Sequence, residues 1–388
     1  LFMAIQAFSQ AGASIASQFL GAERKRQAGV TQSMVLAGSL LLGIAITLIV
    51  IPLANQIISW MGLTGEAAKH AKDFLHIVSF GFAFRSLQTT LTALIATHGL
   101  TIWNLFGNIF TILSNFVLNI VFLNGLFGLP KMGVEGVALA TMLSWLISSF
   151  ILFLVLHFKI QHRFKRSDWV RFRIILPDWI RIGLPAAAEP VSFQLFQVFL
   201  TAMVVHFGTL AITARVFSAN FAMFAVILSV GLGSGNQILV AHLVGAQDFK
   251  KANKRVHQSL LGSCLGAMFI SIIVAICGTH LLSLYTNNSD ILKLGYICLW
   301  CDALVQPFKA ANIVLTNSLR AAGDSKFPAI IGSAMMWTLG VGTALFLAFG
   351  LNLGLPGLWL GMAADEFYRS IVNYMRWRSG KWKRHGVI

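Results

Sequence analysis

Ser17 to Ala28 reads SQFLGAERKRQA, and Ala241 to Ala252 reads AHLVGAQDFKKA. Each closes an apolar stretch with a Gly-Ala pair and opens a short polar, basic run. The offset between them is 224 residues, and it holds elsewhere. Gly21-Ala22 recurs as Gly245-Ala246, Ala28 as Ala252, Arg85 as Lys309, Thr92 as Thr316 and Gly99 as Gly323. With a three-residue gap, Gly133 and Gly136 recur as Gly354 and Gly357. Matches at both ends of the offset, on glycines at the edges of apolar blocks, make an internal repeat.

The apolar blocks between these marks run 1–21, 31–61, 75–98, 103–125, 134–158, 180–207, 210–244, 257–284, 294–319, 327–350 and 355–377. They are long enough, at ~20 residues or more, to cross a bilayer as helices. None shows the alternation of a membrane-spanning strand. Six blocks separate repeat-related elements, so the two halves face the same way, as a parallel repeat. The expected fold is therefore an all-α membrane protein of two pseudo-symmetric six-helix lobes, with about eleven of twelve transmembrane helices present. Block 180–207 has no partner in the first half, because subtracting the offset runs off the chain. The repeat thus implies a missing first helix. The expected domains are an N-terminal lobe at 1–158, a basic cytoplasmic linker at 159–179, a C-terminal lobe at 180–377 and a cytoplasmic tail at 378–388. Two such lobes suit alternating access around a site near the middle of the membrane.

Composition supports this reading. Hydrophobic residues make up 57% of the chain and charged residues 11%, against roughly 25% charge in a soluble domain. The net charge of +16 would suggest nucleic acid on a soluble protein. Here the basic residues sort by side instead. The loops on the side reached after the first block, with the C-terminal tail, hold 21 of the 29 Lys and Arg. That bias places those loops and the C-terminus in the cytoplasm. It assigns the lipid bilayer, and no nucleic acid, as partner. The linker carries Trp169 and Trp179 among its cations, as expected of a segment at the headgroup level. Cys264, Cys277, Cys298 and Cys301 all lie in apolar stretches. Cys298 and Cys301 form a C-x-x-C without a second pair, so they read as small packing residues rather than a metal or redox site.

Ionisable groups inside the spans are the functional candidates, because burying charge in hydrocarbon costs roughly 2.5–3.5 kcal/mol or more. Glu189 lies about two turns into its helix between Pro185 and Pro190. Proline frees backbone carbonyls, and a carboxylate beside them can hold a proton, a small cation or a cationic substrate. Gln194, Gln197 and Asn220 extend a polar lining. Asp302 and Lys309 stand seven residues apart on one helix with Pro307 between them. Asp302 lies nearer the outer end. Asp365 and Glu366 sit four and three residues before Arg369, at spacings that make local ion pairs. Arg215 has no evident partner. The run Gly231, Gly233, Gly235 lies within an apolar block with no strand before it, so it reads as helix packing or bending rather than a nucleotide loop. The chain has no Walker motif, no H-E-x-x-H and no catalytic triad. No catalytic or metal residues are assigned, no cofactor is expected, and energy must come from an ion gradient or a partner, not from ATP on this chain.

The chain resembles a prokaryotic member of the multidrug and toxic compound extrusion (MATE) family. The resemblance rests on the repeat helix ends Gln18–Glu23 and His242–Gln247, the G-L-P at Gly183–Pro185 and Leu319-Arg320-Ala321-Ala322-Gly323-Asp324. The D-E-x-x-R of the last helix and the closing Arg378-Ser379-Gly380-Lys381-Trp382 add to it. It covers essentially the whole chain. It implies a monomeric antiporter in the bacterial inner membrane, exporting organic cations in exchange for H⁺ or Na⁺. It also implies a glutamate on the seventh helix, here Glu189. Sodium-coupled members carry an aspartate eleven residues before the arginine of the L-R, where this chain has Lys309, which speaks against sodium. The alternative is a flippase for lipid-linked sugars of the same superfamily, which Arg85, Arg215 and Lys309 favour. A membrane-embedded enzyme would need a nucleophile set, and a channel a filter loop; the sequence offers neither. The cation reading depends on Glu189 being open to a mobile partner. A fixed arginine against it, with no water-accessible chamber, would remove that support.

Overall fold

The computed structural model describes residues 2–160 and 168–387, with only the backbone given for 168–172 and 174. Arg163, Lys165 and Arg166 of the expected linker, and the side chains of Trp169 and Arg171, lie outside the described residues. The fold is all-helical. In chain order the helices are α1 (Phe2–Gly21), α2 (Lys25–Trp60), α3 (Gly65–Phe80), α4 (Phe82–Thr97), α5 (Thr101–Asn124) and α6 (Gly133–Lys159). Then come α7 (Asp168–Val205), α8 (Gly208–Gly245), α9 (Phe249–Ile276), α10 (Gly278–Ser283) and α11 (Ser289–Ala321). The last are α12 (Lys326–Met335), α13 (Val341–Leu345) and α14 (Gly354–Arg378). Two five-residue π turns, Met336–Gly340 and Phe346–Gly350, run between α12 and α13 and after α13.

Among the described residues, eight helices are long and apolar enough to cross a membrane. The expected span 75–98 is broken at Gly81 into α3 and α4, each 16 residues long. The segment 159–179, expected as a loop, is helical from Asp168, so α7 starts well before 180. Several large apolar side chains stay exposed. On α5 only Gly107 and Phe122 are buried, while Ile112 is 68% and Phe116 63% exposed. Such a face is stable against lipid, not water.

The chain divides into two compact units. Unit 1 holds Leu1–Ala16 and Arg24–Gly183; unit 2 holds Ser17–Glu23 and Leu184–Ile388. The repeat is visible in the element boundaries. The 224-residue offset carries the start of α2 at Lys25 to the start of α9 at Phe249. It carries Gly65 and Thr97, the outer ends of α3 and α4, to Ser289 and Ala321, the ends of α11. Helix stops repeat as well. Glu23 and Gln247 both take left-handed backbone, at φ 61° and 57°. Their amides donate to Leu20 O and Val244 O, each at 3.0 Å. This conformation ends a helix and satisfies one of its last carbonyls.

Unit 1 packs α2 on α4 and α3, and α6 on α3, α4 and α5. Gly43 of α2 lies against the backbone of Phe82 and Ala83, with no room for a Cβ. Unit 2 is built around α11, which touches α8, α9, α10 and α14. Gly357 and Gly361 of α14 meet the backbone of Ala348 and Ala344. Small residues let membrane helices approach this closely, where dispersion replaces the hydrophobic effect as the driving force. Of the glycine run on α8, a side chain at Gly233 would strike Ile313, while one at Gly231 or Gly235 would meet open space; only the middle one is required by packing. The tail docks on unit 2. Trp382 stacks on Trp377 at 4.1 Å between ring centroids, and Arg376 pairs with Asp324 at 2.7 Å.

Candidate functional site

The densest group of buried charge lies inside unit 2, where α7, α11 and α14 contribute side chains. One helical turn of α14 places Asp365 and Arg369 on the same face. Arg369 Nη2 lies 2.8 Å from Asp365 Oδ2 and 3.0 Å from Glu366 Oε1. Its Nη1 lies 3.7 Å from Glu189 Oε1 on α7. Glu189 Oε2 accepts from Arg320 Nη2 at 2.8 Å. The other Glu366 oxygen accepts from Asn312 Nδ2 at 2.9 Å, and Asn373 Nδ2 donates to Asn312 Oδ1 at 2.9 Å. Asp365 Oδ1 is buried without a hydrogen-bond partner among the described residues, and Gly340 of the first π turn closes over it. Wide helical turns of this kind recur at functional sites.

Proline shapes this site. Pro190 has no N–H to give to the carbonyl four residues back, at Ala186. Arg320 Nη2 occupies that carbonyl instead, at 3.3 Å. The sequence places the freed carbonyl beside Glu189 for a mobile cation, and the structure fills it with a fixed guanidinium. The reading of Glu189 as an unpaired carboxylate is therefore corrected. It is 8% exposed and ion-paired to Arg320 and Arg369. Arg320, assigned from sequence to a cytoplasmic loop, sits in the last turn of α11. Its charge next to the loop hid it, and the one signal for it was the carbonyl freed by Pro190.

A second polar region lies toward the other end of α11. Asp302 is 5% exposed and so buried within the protein. Both its oxygens accept from Gln306 Nε2, at 3.1 and 2.9 Å, and Oδ1 also accepts from the Trp359 indole at 3.2 Å. All these donors are neutral. Arg215 of α8 donates from Nη2 to Gln197 Oε1 at 3.1 Å and stands 5.9 Å from the Trp359 ring centroid. Among the described residues Lys309 pairs with no carboxylate or carbonyl; its ammonium stands 5.5 Å from the Phe193 ring centroid. Gln194 and Asn220 are exposed and join neither group. Arg215, without an evident partner in sequence, has two here, both uncharged. The four cysteines are free.

A family model, MatE, matches residues 1–121 and 185–346. The chain belongs to the MatE family. The Bacillus subtilis protein described as the uncharacterized transporter YisQ is 31% identical over 375 residues, covering 96% of this chain and 82% of that one. A Thermotoga maritima relative, described as the probable multidrug resistance protein NorM, is 26% identical, covering 87% of this chain and 73% of its own. A solved MATE structure in complex with MaL6 superposes with a TM-score of 0.90 at 19% identity, covering 99% of this chain and 86% of that one. MATE proteins are multi-pass membrane transporters rather than enzymes. The two-lobed helical fold expected from the repeat is the MATE fold, and the interior charges belong to a transporter of small molecules.

Proposed function

We propose that this MATE transporter is a secondary antiporter of the bacterial inner membrane, with its C-terminus in the cytoplasm. As a monomer it exports small organic molecules by alternating access, in exchange for H⁺ or Na⁺. One observation carries the coupling: Glu189, Asp365 and Glu366 are three buried carboxylates sharing two guanidiniums, Arg320 and Arg369. With all five ionised the group holds one surplus negative charge, which is costly in a membrane interior. A proton or a monovalent cation makes it neutral. Export of drugs is supported by the names of relatives such as the Thermotoga protein. The expectation of an organic-cation substrate came from the family resemblance, with an open Glu189 as its binding group. With that carboxylate held by two arginines, the cargo's charge is left to other groups. The flippase alternative is favoured by Arg215 and Lys309, which have no carboxylate within 4 Å among the described residues.

The test is transport by the full-length protein in proteoliposomes under an imposed pH or Na⁺ gradient, with ethidium and fluorescein as probes. The gradient that drives probe flux identifies the coupling ion. Glu189→Gln leaves two carboxylates for two arginines and removes the surplus charge. It should keep the fold and lose gradient-driven flux by tenfold or more. Wild-type flux in this variant would take the surplus carboxylate out of the mechanism.

A further inference from the structure

The region around Arg215 and Lys309 has the opposite charge balance. Lys309 stands over Phe193, and Arg215 bonds Gln197. Phe193 and Gln197 are four residues apart on α7, so the two cations contact one face of the same helix. Two cations on one helix face in a membrane interior are costly unless an anion lies with them. Among the described residues no carboxylate comes within 4 Å of either cation. Asp302, on the same helix as Lys309, has its oxygens taken by Gln306 and Trp359. Arg215 Nη1 is buried without a hydrogen-bond partner among the described residues, although a buried guanidinium N–H normally finds an acceptor. Trp359 and Phe193 supply aromatic faces beside these donors.

We propose that Arg215 and Lys309 form the binding site for an anionic group on the transported molecule, a carboxylate, sulfonate or phosphate joined to an aromatic or apolar body. Arg215 offers Nη1, the unspent half of its fork, to an oxygen of the anion. Lys309 supplies a second charge as a movable point donor. Phe193 and Trp359 flank the apolar body. Cargo and coupling ion then occupy different groups of unit 2: the anion at Arg215 and Lys309, the proton or Na⁺ at the carboxylates around Arg369. The inference rests on the exporter reading for the identity of its ligand as cargo, but the binding it claims needs no gradient.

The experiment is equilibrium binding to the purified full-length protein, followed by fluorescence polarisation. Fluorescein serves as a soluble aromatic carboxylate and ethidium as an aromatic cation. Dioctanoyl phosphatidylglycerol, as competitor, separates a lipid-borne phosphate from a free anion. Wild type should bind fluorescein at least tenfold more tightly than ethidium. Arg215→Gln and Lys309→Gln should each weaken fluorescein binding tenfold or more, and Lys309→Arg should retain it. Lys309→Glu should reverse the preference toward ethidium, a gain that misfolding cannot produce. The proposal is overturned if wild type fails to bind fluorescein, or if the two Gln variants bind it like wild type. Displacement of fluorescein by the short-chain lipid supports the site and identifies a lipid-borne anion as the better ligand; failure to displace it supports the site with a free anion. Gradient-independent flux alongside normal binding would sink the antiport reading and leave this one standing.

Discussion

At the positions where unit 2 carries Asp365, Glu366 and Arg369, unit 1 carries Ser144, Trp145 and Ser148. Where unit 2 has Asn312, unit 1 has Gln88. Both sets are hydrogen-bonded within their units, by different chemistry. In unit 1, Gln88 Nε2 donates to Thr111 Oγ1 at 2.8 Å and Ser148 Oγ at 2.9 Å, and its carbonyl accepts from Arg85 Nη1 at 2.8 Å. In unit 2 the equivalent space holds three carboxylates and two guanidiniums. The repeat conserves helix boundaries, at Lys25 and Phe249, Gly65 and Ser289, and Thr97 and Ala321, because those follow from bilayer thickness and cap geometry. It does not conserve the carboxylates of this network. A hydroxyl and amide network has a single protonation state near neutral pH, whereas a crowded carboxylate group can exchange a proton or an ion.

The contrast predicts unequal costs of breakage. Arg369→Ser leaves Asp365 and Glu366 buried without their shared cation, and should destabilise the purified protein by about 3–5 kcal/mol in denaturant unfolding. Its repeat counterpart Ser148→Ala loses neutral hydrogen bonds only and should cost about 1 kcal/mol. Equal losses would mean that the ion network is no more demanding than the hydroxyl one. Adding Asp365→Ser and Glu366→Gln to Arg369→Ser leaves Glu189 with Arg320 as a balanced pair, so the triple variant should be more stable than Arg369→Ser alone. Gln88→Leu removes the amide that links Arg85, Thr111 and Ser148, and should cost about 1–3 kcal/mol. At the helix contacts, Gly43→Ala should cost about 1–3 kcal/mol, because the new methyl meets backbone. Its repeat partner Ala267 is fully buried, and Ala267→Gly should cost about 1 kcal/mol through helix propensity. A reversed order at this pair would show that the two units do not share their helix-crossing geometry.

Much of the architecture was legible in the residues. Gly-Ala stops at Gly21 and Gly245, with basic runs after them, mark helix ends. Block length and sided charge mark a membrane fold. The candidate site was legible only as a set of unusual residues. Glu189, Asp365, Glu366 and Arg369 stand out because charge in hydrocarbon is rare. Arg320 did not, since an arginine beside a cytoplasmic loop is ordinary. Asp302 and Lys309 share a helix and invite pairing, yet one bonds an amide and an indole while the other faces a phenyl ring.

Hydrophobic length, the repeat and the sidedness of charge are properties of the chain read in order, so sequence alone determined an all-helical, two-lobed membrane protein. Which buried charges meet depends on the rotation and crossing of helices far apart in that order, and Glu189 finds Arg320 131 residues away. Only tertiary packing could decide that the glutamate is held while Arg215 keeps an unspent donor. A single sequence records the presence of each charge but not the face it turns to its neighbours.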